Sequence, residues 1–138
     1  MTQKELISKL LKSDKPDVIV GSLGTISKDI DGIPYDGEKH LIRGAMGCAI
    51  GVGLGYALSS KKNVLVIIGD GSTLMKMGSL ATILKYKPKN LSVAIINNRS
   101  YKSCGGQPTV FKYVEDLLSN DGKSRYPRSY KVFKISSK

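Results

Sequence analysis

Asn63–Gly78 reads NVLVIIGDGSTLMKMG. Five apolar residues, Val64 to Ile68, run directly into Gly69-Asp70-Gly71-Ser72. The run is apolar at every position and rich in β-branched side chains on both faces. That pattern suits a strand buried on both faces of a parallel sheet. Ser72 then stands where a helix N-cap belongs, and Leu74, Met77, Leu80, Ala81 and Leu84 trace a helical stripe. The KPKN segment ends that helix, and LSVAII (Leu91–Ile96) reads as a second buried strand. Strand, helix and strand make a βαβ unit.

Outward from this unit, the same alternation continues. KELISKLLK places Leu6, Ile7, Leu10 and Leu11 on one helical face, before Pro16. DVIVGSLGT reads as a strand running into a glycine turn. Ile30–Arg43, with Gly32, Pro34 and Gly37, reads as a loop or a weak strand. GAMGCAIGVGLGYALSS reads as a helix with Gly44, Gly47, Gly51 and Gly55 along one side, where another element can approach closely. NNRSYKSCGGQPT is a polar loop, VFKYVEDLLS a short helix and YKVFKI a last strand. The predicted fold class is α/β, a doubly wound parallel sheet with helices on both faces. At 138 residues the chain has the length of one domain.

Charge and composition exclude more than they identify. The net charge is +11, but the lysines are scattered and few aromatics lie between them. No zinc-finger spacing and no aromatic RNA-binding signature occurs, so nucleic acid is not an expected partner. No apolar run approaches the ~20 residues of a membrane helix, and the amino terminus does not read as a signal peptide. Cys48 and Cys104 are far apart and lack metal-ligand spacing, which suits a reducing cytoplasm.

In doubly wound sheets, ligands bind beyond the carboxyl ends of the strands. Two predicted strand ends are polar there: Gly69-Asp70-Gly71-Ser72 and Asn97-Asn98. If the two strands are neighbours, Asp70 and Asn98 share one rim. A carboxylate beside an amide oxygen is hard-cation chemistry, of the Mg²⁺ or Ca²⁺ kind. Gly71 and Ser72 open a helix, where backbone N–H groups favour a phosphate.

GDGS at Gly69–Ser72 and INN at Ile96–Asn98, with Asp70 and Asn98 28 positions apart, resemble the thiamine diphosphate motif. GAMGCAIGVGLGYAL, GDGSTLMKMGSLATI and CGGQPT extend the resemblance from about Lys4 to Thr109. Together they resemble the cofactor-diphosphate-binding domain of phosphonopyruvate and sulfopyruvate decarboxylases. The resemblance implies a thiamin diphosphate-binding fold, one diphosphate-type domain over residues 1–138 with a short carboxyl-terminal tail, and no pyrimidine-binding domain. It also implies thiamine diphosphate and Mg²⁺ as cofactors. Asp70, Asn98 and the backbone carbonyl of Ser100 would hold the metal. Gly69, Gly71, Ser72 and Tyr101 would lie against the cofactor, with Gly71 and Ser72 donating to its diphosphate. The Gly44 carbonyl would accept from the pyrimidine amino group, Ala45 would sit beside it, and Met46 would wedge the cofactor into its bent form.

The implied reaction is decarboxylation of a 2-oxo acid that carries a second anionic group. Lys102, Gln107 and Thr109 are candidate substrate contacts, and Arg99 or Lys102 would help to steer an anion. His40, the one histidine of the sequence, is a surface or second-layer residue in a polar loop and a catalytic candidate. The activating glutamate is expected on a partner subunit that carries the pyrimidine domain, with further copies of the chain in the same oligomer. Where phosphonopyruvate decarboxylases usually carry His after GAMG, Cys48 stands here. Two other readings fit the same residues: a non-catalytic cofactor-binding module, and a subunit of an acetolactate-synthase-like enzyme.

Overall fold

A computed structural model of the chain describes residues 1–119 and 130–135. Five strands of the described residues form one parallel sheet: β1 (Val18–Gly21), β2 (Glu38–Leu41), β3 (Val64–Gly69), β4 (Leu91–Asn97) and β5 (Tyr130–Lys134). Their order across the sheet is β2-β1-β3-β4-β5. After β1 the chain steps outward to β2, then returns to the other side of β1 as β3. This is the strand reversal that opens a crevice between the carboxyl ends of β1 and β3.

Among the described residues, six α-helices cover the sheet: α1 (Gln3–Asp14), α2 (Thr25–Asp31), α3 (Ala49–Ser59), α4 (Asp70–Met75), α5 (Gly78–Tyr86) and α6 (Phe111–Ser119). Side chains alternate along each strand, so β1, β3 and β4 each feed two cores. Val18, Val20, Val64, Val66, Ile68, Val93 and Ile95 meet α3, α5 and α6 on one face. Ile19, Leu65, Ile67, Ala94 and Ile96 meet α1 and α2 on the other. The doubly wound arrangement read from the strand pattern is therefore present. α1 begins with a capping box between Thr2 and Glu5, and its buried face is Leu6, Ile7, Leu10 and Leu11. The Thr2 hydrogen bonds hold the Glu5 carboxyl below the usual carboxylate range.

Four expectations need correction. Residues 25–31 form α2, where the sequence marks only a turn and the start of a loop. Its apolar signal is Ile26 and Ile30 alone, one pair at helical spacing in a seven-residue helix. Second, the helical stripe after Ser72 belongs to two helices, because Lys76 leaves helical geometry at φ −133°, ψ 50°. Of that stripe only Leu80 is buried, and Ile83 joins it in the core. Third, Ser72 is not an N-cap. The chain turns at Gly69, so Asp70 already lies in α4. Fourth, α3 starts at Ala49, which leaves Gly44 and Gly47 in the preceding loop.

The glycine that carries close packing in α3 is Gly53. A Cβ there would stand 2.1 Å from Val66 Cγ2, whereas one at Gly51 or Gly55 would meet nothing within 4 Å. α3 thus lies on β3 through Gly53, and Gly51 and Gly55 face outward. The tail, read as short, falls partly on residues 120–129 and 136–138, outside the described residues.

Gly53→Ala is expected to destabilise the fold by about 2 kcal/mol, because the new methyl overpacks the α3–β3 contact. Gly51→Ala is expected to stabilise it by about 0.5–1 kcal/mol through helix propensity. Urea unfolding of both variants measures the contrast in sign.

Candidate functional site

The carboxyl ends of β1, β3 and β4 surround one pocket. Leu23, Thr25 and Ile26 line it from the β1 side, Gly69 to Ser72 from β3, and Asn98 and Ser100 to Cys104 from β4. Met46 reaches it from the loop before α3, and Gln3 from the start of α1. The pocket occupies the crevice that the strand order opens between β1 and β3.

Register explains why Asp70 and Asn98 meet this pocket. β3 pairs with β4 so that Gly69 lies opposite Ile96. Asp70 and Asn98 are therefore just beyond the paired ends of adjacent strands. Asp70 is only 2% exposed. The Thr109 hydroxyl donates to its Oδ2 at 2.5 Å. A buried carboxylate without a donor or cation is costly, and Thr109 supplies one such donor. Gly71 and Ser72 are the second and third residues of α4, so their N–H groups are among those a helix leaves without an intrahelical carbonyl. The Ser22 hydroxyl donates to Ser72 Oγ at 3.1 Å, and the Ser27 hydroxyl to the Ser22 carbonyl at 2.6 Å. The end of β1 is thereby tied to the start of α4.

The segment after β4 folds back on itself. Asn97 Oδ1 accepts from the Arg99 N–H at 3.1 Å, and Asn98 Oδ1 from the Ser100 N–H at 2.9 Å. These are consecutive Asx turns. Arg99 has φ 58°, in the left-handed region. The returning arm is held by Tyr101 N–H to the Gln107 carbonyl, Thr109 N–H to the Arg99 carbonyl, and the Ser100–Pro108 bridge. The Tyr101 ring lies over Gly71, where a Cβ would be 2.5 Å from its Cε1. Gly47, at φ 84°, brings the Met46 loop against α4: a Cβ there would be 2.8 Å from the Ser72 carbonyl oxygen.

The pocket gathers Met46, Gly69, Asp70, Gly71, Ser72, Asn98, Ser100, Tyr101 and Lys102 of the residues singled out in the sequence. Gly44, Ala45, Gln107 and Thr109 are not among its lining residues, although Thr109 bonds to Asp70. Arg99 and Cys48 also lie outside the lining. His40 sits on the edge strand β2, with its Nε2 2.8 Å from Tyr56 Oη and 3.2 Å from Glu38 Oε2. It packs against the Tyr56 ring and not at the pocket. Hydrogen bonds from Lys62 and then from His40 hold the Glu38 carboxyl below the usual range. Ser22, Leu23, Thr25 and Gln3 were missed in the sequence. The signal for the first three was the end of β1 at a strand reversal; nothing marked Gln3.

The oxygen donors at the rim are a carboxylate, an amide oxygen and the backbone after it. An amide oxygen has two lone pairs, so Asn98 retains acceptor capacity after bonding the Ser100 N–H. Such a set suits a small hard cation that takes its remaining ligands from a phosphate. No cluster of three His, Cys, Asp or Glu side chains able to hold a metal occurs among the described residues. A cation here needs oxygens from a ligand as well as from the protein.

The fold and site define a doubly wound α/β domain with an oxygen-lined pocket at its strand reversal. Residues 33–133 match the family described as thiamine pyrophosphate enzyme, C-terminal TPP binding domain, and the chain belongs to that family. It is 38% identical over 109 residues to the sulfopyruvate decarboxylase subunit beta of Methanococcus maripaludis, covering 79% of this chain and 59% of that one. It is 39% identical over 106 residues to the subunit of that name from Methanocaldococcus jannaschii, covering 76% and 56%. Against the phosphonopyruvate decarboxylase of Streptomyces hygroscopicus it is 36% identical over 115 residues, covering 83% of this chain and 29% of the relative. The chain therefore spans a little over half the length of the two beta subunits.

Thr109→Val is expected to lower stability by about 1–2 kcal/mol, because the buried Asp70 carboxylate loses a donor, while Thr109→Ser retains most of it. Urea unfolding compares the two. The Glu38 shift has its own signature. Its folded pKa is lowered, so its contribution is present above the unfolded pKa and is lost as pH falls through the folded one. Glu38→Gln is expected to flatten that acid limb in stability measured against pH.

Proposed function

We propose that the chain binds thiamine diphosphate through Mg²⁺ and serves as the diphosphate-binding subunit of a two-chain decarboxylase. The substrate class is a 2-oxo acid with a second anionic group, sulfopyruvate or phosphonopyruvate. The products are CO₂ and the aldehyde, with one proton taken up in place of the carboxylate. The observation that carries this reading is the convergence of Asp70, Asn98 and the α4 N–H groups on one pocket, in a chain of this family.

Asp70 and Asn98 would hold Mg²⁺ by side-chain oxygens and Ser100 by its carbonyl. Gly71 and Ser72 would donate to the diphosphate, with Gly69 and Tyr101 alongside. Met46 would contact the cofactor from the pocket wall, and the Gly44 carbonyl, next to Ala45, would face the pyrimidine. Thiamine diphosphate, when bound, supplies the nucleophilic carbon and the electron sink that decarboxylation of a 2-oxo acid requires. This chain's own work is positional. The closed loop at Asn98–Thr109 fixes the oxygen donors before the ligand arrives, so little ordering is left to binding. Lys102 lines the same pocket and adds positive charge for an anionic substrate, in a chain of net charge +11. Gln107 and Thr109, on the arm returning to Asp70, are the further substrate candidates.

The partner would bring the pyrimidine-binding domain and the activating glutamate, and an oligomer would contain more than one copy of each chain. Cys48 and Cys104 are both free thiols, which fits a reducing cytoplasm. No helix among the described residues is long and apolar enough to cross a membrane.

The chain mixed with a pyrimidine-domain subunit, thiamine diphosphate and Mg²⁺ is expected to release CO₂ from sulfopyruvate or phosphonopyruvate. Asp70→Asn is expected to weaken Mg²⁺-dependent cofactor binding by about 100-fold or more, beyond the usual cost of losing an outer partner of a metal ligand. Calorimetry reads the binding and gas release the turnover. Cofactor binding without turnover by any partner points to a non-catalytic module; no Mg²⁺-dependent binding at all overturns the proposal.

A further inference from the structure

Asn97 and Asn98 are adjacent, yet strand alternation sends them to different places. Asn98 lines the pocket. Asn97 is only 1% exposed, on the side of the sheet that Val93 and Ile95 share with α6. Its Nδ2 donates to Glu115 Oε2 at 3.2 Å, from one turn into α6. Its Oδ1 accepts from the Arg99 N–H at 3.1 Å. Its backbone carbonyl accepts from the Ile135 N–H beyond β5 at 3.0 Å.

We propose that Glu115 is a positioning residue for the cation site: it orients the Asn97 amide, and the amide sets the turn that presents Asn98 and Ser100 to the pocket. The inference rests on the proposed function for what the pocket holds, but the clamp itself is a property of the chain.

The donor and acceptor chemistry carries the case. An ionised carboxylate only accepts, and a backbone N–H only donates. Between Glu115 and the Arg99 N–H, the side chain must donate at one end and accept at the other. An amide does both. Glu115 therefore fixes which end of Asn97 faces the turn. Arg99 sits in the left-handed region, unfavourable for a side chain of its kind, so the turn needs a restraint. The next two bonds, Ser100 N–H to Asn98 Oδ1 and Thr109 N–H to the Arg99 carbonyl, follow from that reversal.

A surface ion pair is the competing account of Glu115. Its Oε1 is 3.2 Å from Lys134 Nζ. The Lys134 side chain is 62% exposed, however, and that of Glu115 only 14%. Pairs with one partner in solvent contribute little. The bond to Asn97 is the one whose loss would strand a polar group, because the Asn97 side chain is buried.

Two measurements on the full chain decide this. In amide exchange of the cofactor-free protein, Glu115→Ala is expected to speed exchange at Arg99 about tenfold, the effect of losing one ordinary hydrogen bond. Glu115→Gln, which can still accept from Asn97, and Lys134→Ala should stay within about twofold of wild type on the same scale. Alanine suits a helix, and thermal melting of each variant shows whether it is folded. In the assembled enzyme with thiamine diphosphate, Mn²⁺ binding read by electron spin resonance should weaken about tenfold in Glu115→Ala and recover in Glu115→Gln. Unchanged exchange at Arg99, or unchanged Mn²⁺ affinity, in a folded Glu115→Ala overturns the proposal, and so does an equal effect from Lys134→Ala. If wild type itself binds no Mn²⁺, the proposed function has failed, and the exchange experiment still decides the clamp.

Discussion

The site depends on the parallel register of β3 with β4. Gly69 opposite Ile96 puts the two strand ends level, so the residues that follow emerge at one rim. A shift of one residue would send every side chain of one strand to the opposite face. The two apolar cores forbid that shift, because Val64, Val66 and Ile68 belong with α3 and Leu65 and Ile67 with α1 and α2. Burial of ordinary aliphatic residues is thus what holds a carboxylate and an amide beside one another. The chemistry of the rim is specified by the few residues that follow the strands, but its geometry is specified by the strands beneath.

Long buried strands and strand-end polarity were legible in the sequence. VLVII and LSVAII could be read without ambiguity because parallel central strands are apolar on both faces. Asp70 and Asn98 followed from them, since a polar residue directly after such a run marks a rim. Short elements were not legible. α2 depends on Ile26 and Ile30, two positions that any loop may also contain. β2 is a four-residue edge strand with no buried residue, so it carries almost no hydrophobic signal. The break between α4 and α5 was hidden because the apolar stripe runs across it, and the loop that Gly47 brings against Ser72 and Lys76 there comes from elsewhere in the chain.

The glycine-rich helix shows why spacing alone misleads. Gly51 and Gly55 recur at helical spacing and suggest a contact face. Gly53, off that spacing, is the one pressed against the sheet. Helical position decides only which residues share a side. Which side faces the sheet is settled by the larger residues, here Ile50, Leu54 and Ala57, which are buried with Gly53. The lone histidine is a similar case. A chemically capable side chain was visible in the sequence, but its partners, Tyr56 and Glu38, were not.

The Thr109 hydroxyl on Asp70 has a consequence for the order of assembly. In small metal-organised domains the ion is a structural member, and the chain is unfolded until it arrives. Here a neutral side chain of the protein bonds one oxygen of the buried acid, and two aliphatic cores hold the sheet on its two faces. Ligand binding then adds to stability by mass action instead of creating it. On the proposed function, packing of the sheet would come before loading of the pocket.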